Sequence, residues 1–164
     1  MFEDLLAYLE GAGVRFVVVG GVAVVIHGHA RLTADVDLVI DLAPENVRLA
    51  IDALTSRGFR PTLPVNATDF ADEATRRQWV EARNLQVFSL VDPANPFIGV
   101  DLFAREPIPF HELWSHAEII DLNGHPIRIA SLDDLIRMKQ TAGRPQDIAD
   151  IEELERIARK RHGD

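Results

Sequence analysis

The sequence contains no cysteine among its 164 residues. Disulfide bonds and thiolate metal sites are therefore excluded, and a metal in this chain would need oxygen or nitrogen ligands. Long apolar runs are also missing, and none approaches the roughly 20 residues that a membrane span needs. The N-terminal Met1-Phe2-Glu3-Asp4 lacks the basic region of a signal peptide. We therefore expect a cytoplasmic protein that makes no membrane contact.

Positive charge is scarce as well. Lys and Arg number 17 against 26 Asp and Glu, which gives a formal net charge of −9 at pH 7. Proteins that coat nucleic acid rely on many Lys and Arg contacts with phosphates, so this balance argues against that class but tolerates a local contact with one strand end. With 47% hydrophobic residues and no repeats or linker, the chain predicts one integrated domain with a substantial core.

The most informative stretch runs from Phe16 to Asp41. Residues 16–19 form an apolar run that is typical of a strand buried on both faces. Gly20 and Gly21 follow, and glycine allows a positive φ and the close approach of a ligand. The apolar residues 22–26 can then open a helix whose first N–H groups are unpaired. A strand, a glycine turn and a helix N-terminus together predict an anion site.

Two aspartates lie one residue apart in the next strand pattern, residues 34–40. The side-chain period of two places Asp35 and Asp37 on one face, roughly 7 Å apart along the backbone. Two dry, ionised carboxylates would repel each other, whereas a divalent cation would relieve that repulsion. Mg²⁺ in particular favours one or two carboxylates plus substrate phosphates. The alternative is an edge strand with two solvated acids, which the flanking apolar residues disfavour.

A third acid, Asp101, lies within the apolar run 98–103. Strand patterns at 85–91 and 98–103 are joined by the turn-forming segment 92–96, so they predict an antiparallel hairpin that delivers Asp101 to the sheet. A lone acid in such a run needs an explanation. Two metal ions about 3.5–4 Å apart, held by carboxylates, are a common device for in-line displacement at phosphorus.

The remaining patterns alternate between helices and strands. Asn123-Gly124 fits a type I′ turn and predicts a second hairpin over residues 119–129. Helices are predicted over residues 2–10, 44–57 and 69–83, from Ser131 to Gly143, and from Pro145 onward. The expected fold class is therefore α/β (α+β), with a mixed sheet flanked by helices.

Two further sets of charged residues allow more than one interpretation. Arg31 stands four residues before Asp35, where it can reach a phosphate or pair with an acid of the metal cluster. Lys139, Asp147 and Asp150 lie in the two C-terminal helices. Taken alone, such residues are usually helix caps or surface ion pairs worth under about 1 kcal/mol.

These motifs together resemble the nucleotidyltransferase superfamily that includes DNA polymerase beta. They are most similar to the small bacterial nucleotidyltransferases grouped with abortive-infection, type IV toxin proteins. The resemblance implies one nucleotidyltransferase domain over residues 1–164, with a catalytic core at 1–106 and a hairpin and C-terminal helices at 107–164 packed on it. The motifs that carry it are Gly20-Gly21, Ala23, Arg31, Thr33, Asp35-Val36-Asp37-Leu38, Val100-Asp101-Leu102, and the series Lys139, Arg144, Asp147 and Asp150.

The resemblance also implies the chemistry. Asp35, Asp37 and Asp101 would hold two Mg²⁺ ions and act as the catalytic residues. A nucleoside triphosphate (NTP), such as ATP, would be the substrate, and its nucleotide monophosphate would pass to an acceptor hydroxyl with release of pyrophosphate. The residues implied to bind the nucleotide are Gly20, Gly21, Arg31, Thr33, Lys139 and Asp147.

The acceptor and the biological role stay open at this point. The resemblance implies a tRNA 3′ end, a partner protein, or a small molecule such as an aminoglycoside or lincosamide as acceptor. It also suggests a component of a toxin–antitoxin system, with a cognate toxin or antitoxin protein as partner. The alternative is a catalytically silent, nucleotide-binding antitoxin or regulator that acts through protein contacts. The intact Asp35, Asp37 and Asp101 argue for catalysis.

Overall fold

A computed structural model describes residues 2–163 of the chain. None of the helices in this range is long and apolar enough to cross a membrane. The strands are β1 (Phe16–Val19), β2 (Asp35–Ile40), β3 (Arg60–Pro61), β4 (Val87–Asp92), β5 (Asn95–Phe103), β6 (Glu118–Leu122) and β7 (His125–Ile129). The helices are α1 (Phe2–Gly11), α2 (Gly20–Ile26), α3 (Pro44–Ser56), α4 (Glu73–Arg83), α5 (Phe110–His116), α6 (Leu132–Ala142) and α7 (Pro145–Arg161).

All seven strands join one mixed sheet in the order β3-β4-β5-β2-β1-β7-β6. At its centre, β2 runs antiparallel to β1 and parallel to β5. Every residue of β1 is buried, as its uninterrupted apolar sequence predicts. The expected α/β class, with a mixed sheet flanked by helices, is confirmed.

The two faces of β2 differ as the period of two predicts. Val36, Leu38 and Ile40 are each at most 2% exposed and belong to the main core. Asp35 and Asp37 lie on the opposite face and stay partly accessible, whereas Val39 on that same face is buried. The acid-bearing face is therefore open at the N-terminal end of β2 and covered at its C-terminal end.

Both predicted hairpins form. β4 and β5 pair antiparallel, although the turn between them is shorter than residues 92–96 because the strands extend to Asp92 and from Asn95. In the second hairpin, Asn123 and Gly124 have φ angles of 55° and 84°, as a type I′ turn requires. Its strand β7 pairs parallel with β1 through Val18 and Ile129, so this hairpin continues the central sheet.

The single helix predicted over residues 69–83 is wrong in one respect. A 3₁₀ helix covers Ala67–Ala71, and α4 begins only at Glu73. Asp72 separates them because its side chain accepts a hydrogen bond from the Thr75 backbone N–H at 3.0 Å, which makes it the N-cap of α4. This break lets Phe70 stack on Phe88 of the sheet, with ring centroids 4.5 Å apart.

Candidate active site

The three predicted acids meet on two adjacent strands. In the parallel pairing of β2 with β5, Asp37 lies directly beside Asp101, and Asp35 lies beside Gly99. A Cβ atom at position 99 would stand 2.6 Å from Oδ1 of Asp35, so only glycine leaves room for that carboxylate. Sequence reasoning missed this role of Gly99, because it depends on the strand register.

The glycine turn lies against the same acids. Gly20 has a φ of 65°, and a Cβ atom there would overlap the carboxylate of Asp37. A Cβ atom at Gly21 would lie 2.6 Å from Oγ1 of Thr33. The turn after β1 and the acid pair of β2 are therefore parts of one site, although 14 or more residues separate them along the chain.

The proximity of these carboxylates changes their protonation. Burial, the negative charge of Asp101 and a hydrogen bond with Asp101 raise the pKa of Asp37 to about 7, although a backbone hydrogen bond from Gly21 acts in the opposite direction. Burial and the charge of Asp101 also raise the pKa of Asp35. The site thus concentrates negative charge that a proton or a cation must offset.

Ser89 is a further member of the site. It lies opposite Asp101 in the β4–β5 hairpin, and its hydroxyl donates a hydrogen bond of 2.6 Å to Oδ1 of Asp101. This bond holds the Asp101 side chain in one orientation. The sequence predicted the hairpin that brings β4 and β5 together, but not which of their residues face each other. Only the strand register pairs residue 89 with residue 101.

The three acids Asp35, Asp37 and Asp101 have the chemistry of magnesium ligands. Among residues 2–163, no group of three or more His, Cys, Asp and Glu side chains stands at the spacing of a metal site. However, Asp37 and Asp101 share a hydrogen bond, and a cation would relieve the same repulsion that this proton relieves. All three acids offer the hard oxygen ligands that Mg²⁺ prefers.

Lys139 forms the opposite side of the site together with two acids of α7. Its ammonium group lies 2.9 Å from Asp150 and 3.6 Å from Asp147. All three residues are buried, so they are not the surface ion pairs that the sequence alone suggests. Two further cations offset the second carboxylate, because Arg31 donates to Asp150 and Arg144 pairs with Asp147.

Arg31 therefore pairs with an acid, but not with one of the three predicted metal ligands Asp35, Asp37 and Asp101. Its guanidinium donates to Asp150, which lies 119 residues further along the chain. His29 also lies 3.5 Å from Asp150. These contacts tie the loop before β2 to α7 and keep Arg31 beside the Gly20–Gly21 turn.

Asp147 has a structural function in α7. Its carboxylate accepts hydrogen bonds from the side chain of Arg144 at 2.8 Å and from the Arg144 backbone N–H at 3.1 Å, which forms a capping box. Burial opposes its ionisation, but the hydrogen bonds and charge of Arg144 lower the pKa of Asp147 overall. Asp147 is thus an ionised acid held at the start of the helix.

One cavity of about 710 Å³ connects these parts. Gly20, Asp37 and Asp101 line its floor, and Lys139, Arg144 and Asp147 line the wall formed by α6 and α7. The structure therefore brings together six residues that the sequence predicted or grouped. Thr33 and Arg31 lie beside Gly21, since a Cβ atom there would stand 2.6 Å from Oγ1 of Thr33 and 3.8 Å from Nε of Arg31. These three residues and Asp35 are not among the residues that line the cavity.

The raised pKa of Asp37 predicts a pH-dependent stability in the presence of a metal chelator. Because its folded pKa of about 7 exceeds the ordinary value of 3.8, the stabilisation from its protonated form is fully present below pH 3.8 and is lost as the pH rises through 7. Asp37→Asn cannot ionise, so we expect it to raise the Tm at pH 8 by several degrees and to change it much less at pH 5. Thermal unfolding with EDTA at both pH values measures this.

The matched control for this measurement is Asp52→Asn, because Asp52 is exposed on α3. It should leave the Tm nearly unchanged at both pH values. An equal Tm change for Asp37→Asn at pH 5 and pH 8 would contradict the assignment.

A mixed sheet with acids on two adjacent strands beside a glycine turn defines the class: this is a protein of the nucleotidyltransferase fold. The chain belongs to the family described as nucleotidyltransferase of unknown function (DUF6036), whose model matches residues 2–159. A comparison with curated proteins finds no significant match.

A solved structure supports the same fold. The chain is similar to the crystal structure of an antigenic nucleotidyltransferase-like protein from Paracoccidioides brasiliensis, with 19% sequence identity and a TM-score of 0.59. The match covers 93% of this chain and 72% of the fungal chain. At this identity the likeness concerns the fold alone.

Proposed function

We propose that the protein is an Mg²⁺-dependent enzyme that moves a nucleotide monophosphate from an NTP to an acceptor hydroxyl. The observation that carries this proposal is the contact of the glycine turn with the acid pair: Gly20 has no room for a side chain because the Asp37 carboxylate lies there, with Asp101 alongside. A turn that only reversed the chain would not need this approach. The membership of a nucleotidyltransferase family supports the general class.

The chain supplies the groups that hold a triphosphate. The Gly21 backbone N–H already faces an anion, because it donates a hydrogen bond to Asp37. Lys139 borders the cavity with a buried ammonium group. As a point charge that borders the same cavity as Gly20, Lys139 would bind the phosphates that leave as pyrophosphate. Arg31 and Thr33 would stabilise the turn from behind.

The acids supply the remaining functions. Asp35, Asp37 and Asp101 would hold the Mg²⁺ ions, which, when bound, neutralise phosphate charge and favour ionisation of the acceptor hydroxyl. Asp101, oriented by Ser89, would accept the proton of that hydroxyl and pass it to water. The acceptor oxygen forms a bond to the α-phosphorus while the bond from the α-phosphorus to the β-bridging oxygen breaks. The electron pair of that bond leaves with pyrophosphate.

The test uses all four NTPs, each labelled at the α-phosphate. We expect one or more of them, with Mg²⁺ and fractions of a cell extract, to yield a labelled product that EDTA abolishes. Calorimetry of the purified protein measures NTP binding separately. If neither NTP nor Mg²⁺ binds, the proposal is wrong, and a binding module that acts through protein contacts takes its place.

A role in a toxin–antitoxin system is a further part of this proposal and is supported only by the sequence motifs. Co-purification of the chain with the product of a neighbouring gene, and relief of growth arrest by that product, would test it. Normal growth on overexpression of the active chain alone would argue against a toxin.

A further inference from the structure

The cavity continues past Asp101 along the same face of the sheet. Side chains alternate between the two faces along β5, so Phe103, two residues after Asp101, lies on the same face as Asp101. In the neighbouring strand, Val87 lies opposite Phe103 just as Ser89 lies opposite Asp101. Both Phe103 and Val87 are half-buried and line the cavity. The acids are thus followed by an apolar surface that the proposed catalysis does not use.

Helix α6 provides the facing wall of this extension. Leu135 and Met138 line the cavity from that side. Phe103, Val87, Leu135 and Met138 therefore line one cavity, and these four apolar side chains are called the slot below. Apolar surface of this kind suits a flat ring. Aromatic side chains in such slots stack on nucleobases without requiring one particular base.

One cation that lines the same cavity has no acidic partner in the described part of the chain. Arg105 is exposed and lines the cavity, and it forms no ion pair within residues 2–163. By contrast, Arg137 on the facing wall pairs with Asp134 at 3.2 Å and with Glu112 at 3.5 Å. Arg105 is therefore available for an anionic group of a bound molecule, such as a phosphate.

The direction of the reaction assigns this slot to the acceptor, an argument that rests on the proposed function. In an in-line displacement, the attacking and leaving oxygens stand on opposite sides of the phosphorus. Pyrophosphate would leave toward Gly20, which follows β1, and the sheet order places β2, then β5, then β4 on the other side. The acceptor must therefore approach from Phe103 and Val87.

We propose that Phe103, Val87 and Arg105 form an acceptor subsite for a ribonucleotide unit, with the base on Phe103 and the phosphate at Arg105. A ribose hydroxyl of this unit attacks the α-phosphorus, its proton passes to Asp101, and pyrophosphate leaves with the electrons of the broken bond. The unit is either a free nucleotide or the 3′-terminal nucleotide of an RNA. The net charge of −9 suits contact with a single terminal unit rather than with a long strand.

The experiment compares acceptors and variants with the full chain. The probes are a single-stranded RNA hexamer with a 3′-hydroxyl, free AMP, and kanamycin. Transfer is followed with labelled NTP and Mg²⁺. Binding is measured separately by fluorescence anisotropy with a hexamer that ends in a 3′-deoxynucleotide and cannot react. The affinity for NTP is measured by calorimetry.

We expect Phe103→Ala to raise the acceptor KM and the Kd of the 3′-deoxy hexamer about tenfold while the Kd of NTP stays unchanged. Phe103→Tyr should restore both values. Arg105→Glu, at an exposed position that folding does not need, should weaken hexamer binding about fivefold. Its matched control is Arg48→Glu, because Arg48 is exposed on α3 and does not line the cavity.

Two results would overturn the subsite, a third would separate it from the proposed function, and a fourth would identify the acceptor. If Phe103→Ala weakens NTP binding instead, the slot holds the base of the NTP. If kanamycin is labelled and neither the hexamer nor AMP is, the acceptor has another chemistry. If the wild-type chain binds no NTP but binds the hexamer in a Phe103-dependent manner, the proposed function fails and the nucleotide subsite stands. Labelling of the hexamer alone or of AMP alone identifies the source of the unit.

Discussion

We expect Asp37→Asn to lower the rate of nucleotidyl transfer about a thousandfold. Asp37 is the central acid of the site, because it lies beside Asp101, on the same strand face as Asp35, and against Gly20. The amide keeps the size of the side chain but removes its negative charge, so a cation loses a ligand that the other two acids cannot replace. Initial rates with labelled NTP at saturating Mg²⁺ measure the effect.

The control for this variant is again Asp52→Asn, which removes one exposed carboxylate from α3 and should keep the wild-type rate. The apo protein with Asp37→Asn should be at least as stable as the wild type at pH 8, so lost activity cannot be attributed to unfolding. Wild-type transfer by Asp37→Asn in Mg²⁺ would refute the assignment of the catalytic acids.

We expect Gly20→Ala to reduce both transfer and stability. The φ of 65° costs an alanine about 1 kcal/mol or more, and its Cβ atom would also displace the carboxylate of Asp37. We expect transfer to fall about a hundredfold or more, because small displacements of reacting groups have effects of that size. The measurements are kcat/KM with labelled NTP and the Tm.

Gly124→Ala is the matched control for Gly20→Ala. Gly124 has a φ of 84°, but nothing lies within 4 Å of its added Cβ atom. It therefore shares the backbone strain and lacks the contact with a carboxylate. Both variants should lose stability, and only Gly20→Ala should lose transfer. Equal transfer rates for the two variants would show that the glycine turn does not position Asp37.

The Asp pair was predictable from the sequence because its signal is local. The alternation of side chains between the two faces of β2 follows from the order of the residues alone. The structure buries Val36 and Leu38 and leaves Asp35 and Asp37 partly accessible. The hairpin that carries Asp101 was predictable for the same reason, since two strand patterns flanked a turn. The functions assigned to these acids stay predictions until the transfer assays are done.

The wall of α6 and α7 was less predictable. Taken alone, the sequence suggested helix caps or surface ion pairs for Lys139 and Asp147. Asp147 does cap α7, but both residues are buried, and Arg31 joins Asp150 across 119 positions. A buried ion pair needs several partners to offset desolvation, and such partners come from distant segments. No local pattern could therefore show that Asp150 holds both Lys139 and Arg31.

The sequence by itself determined the sheet-and-helix composition, the glycine turn after β1 and the common face of Asp35 and Asp37, because these depend on periodicity and on the backbone freedom of glycine over a few residues. Only the tertiary structure decided that Asp101 stands beside Asp37 and that Ser89 orients Asp101. The same holds for the room that Gly20 and Gly99 leave for the carboxylates. It also holds for the extension of the cavity along Phe103 and Arg105. The physical reason is the register of the strands. A shift of one residue between two strands turns every side chain of the shifted strand to the other face. The register that forms is the one that buries the whole apolar core, so no single segment determines it.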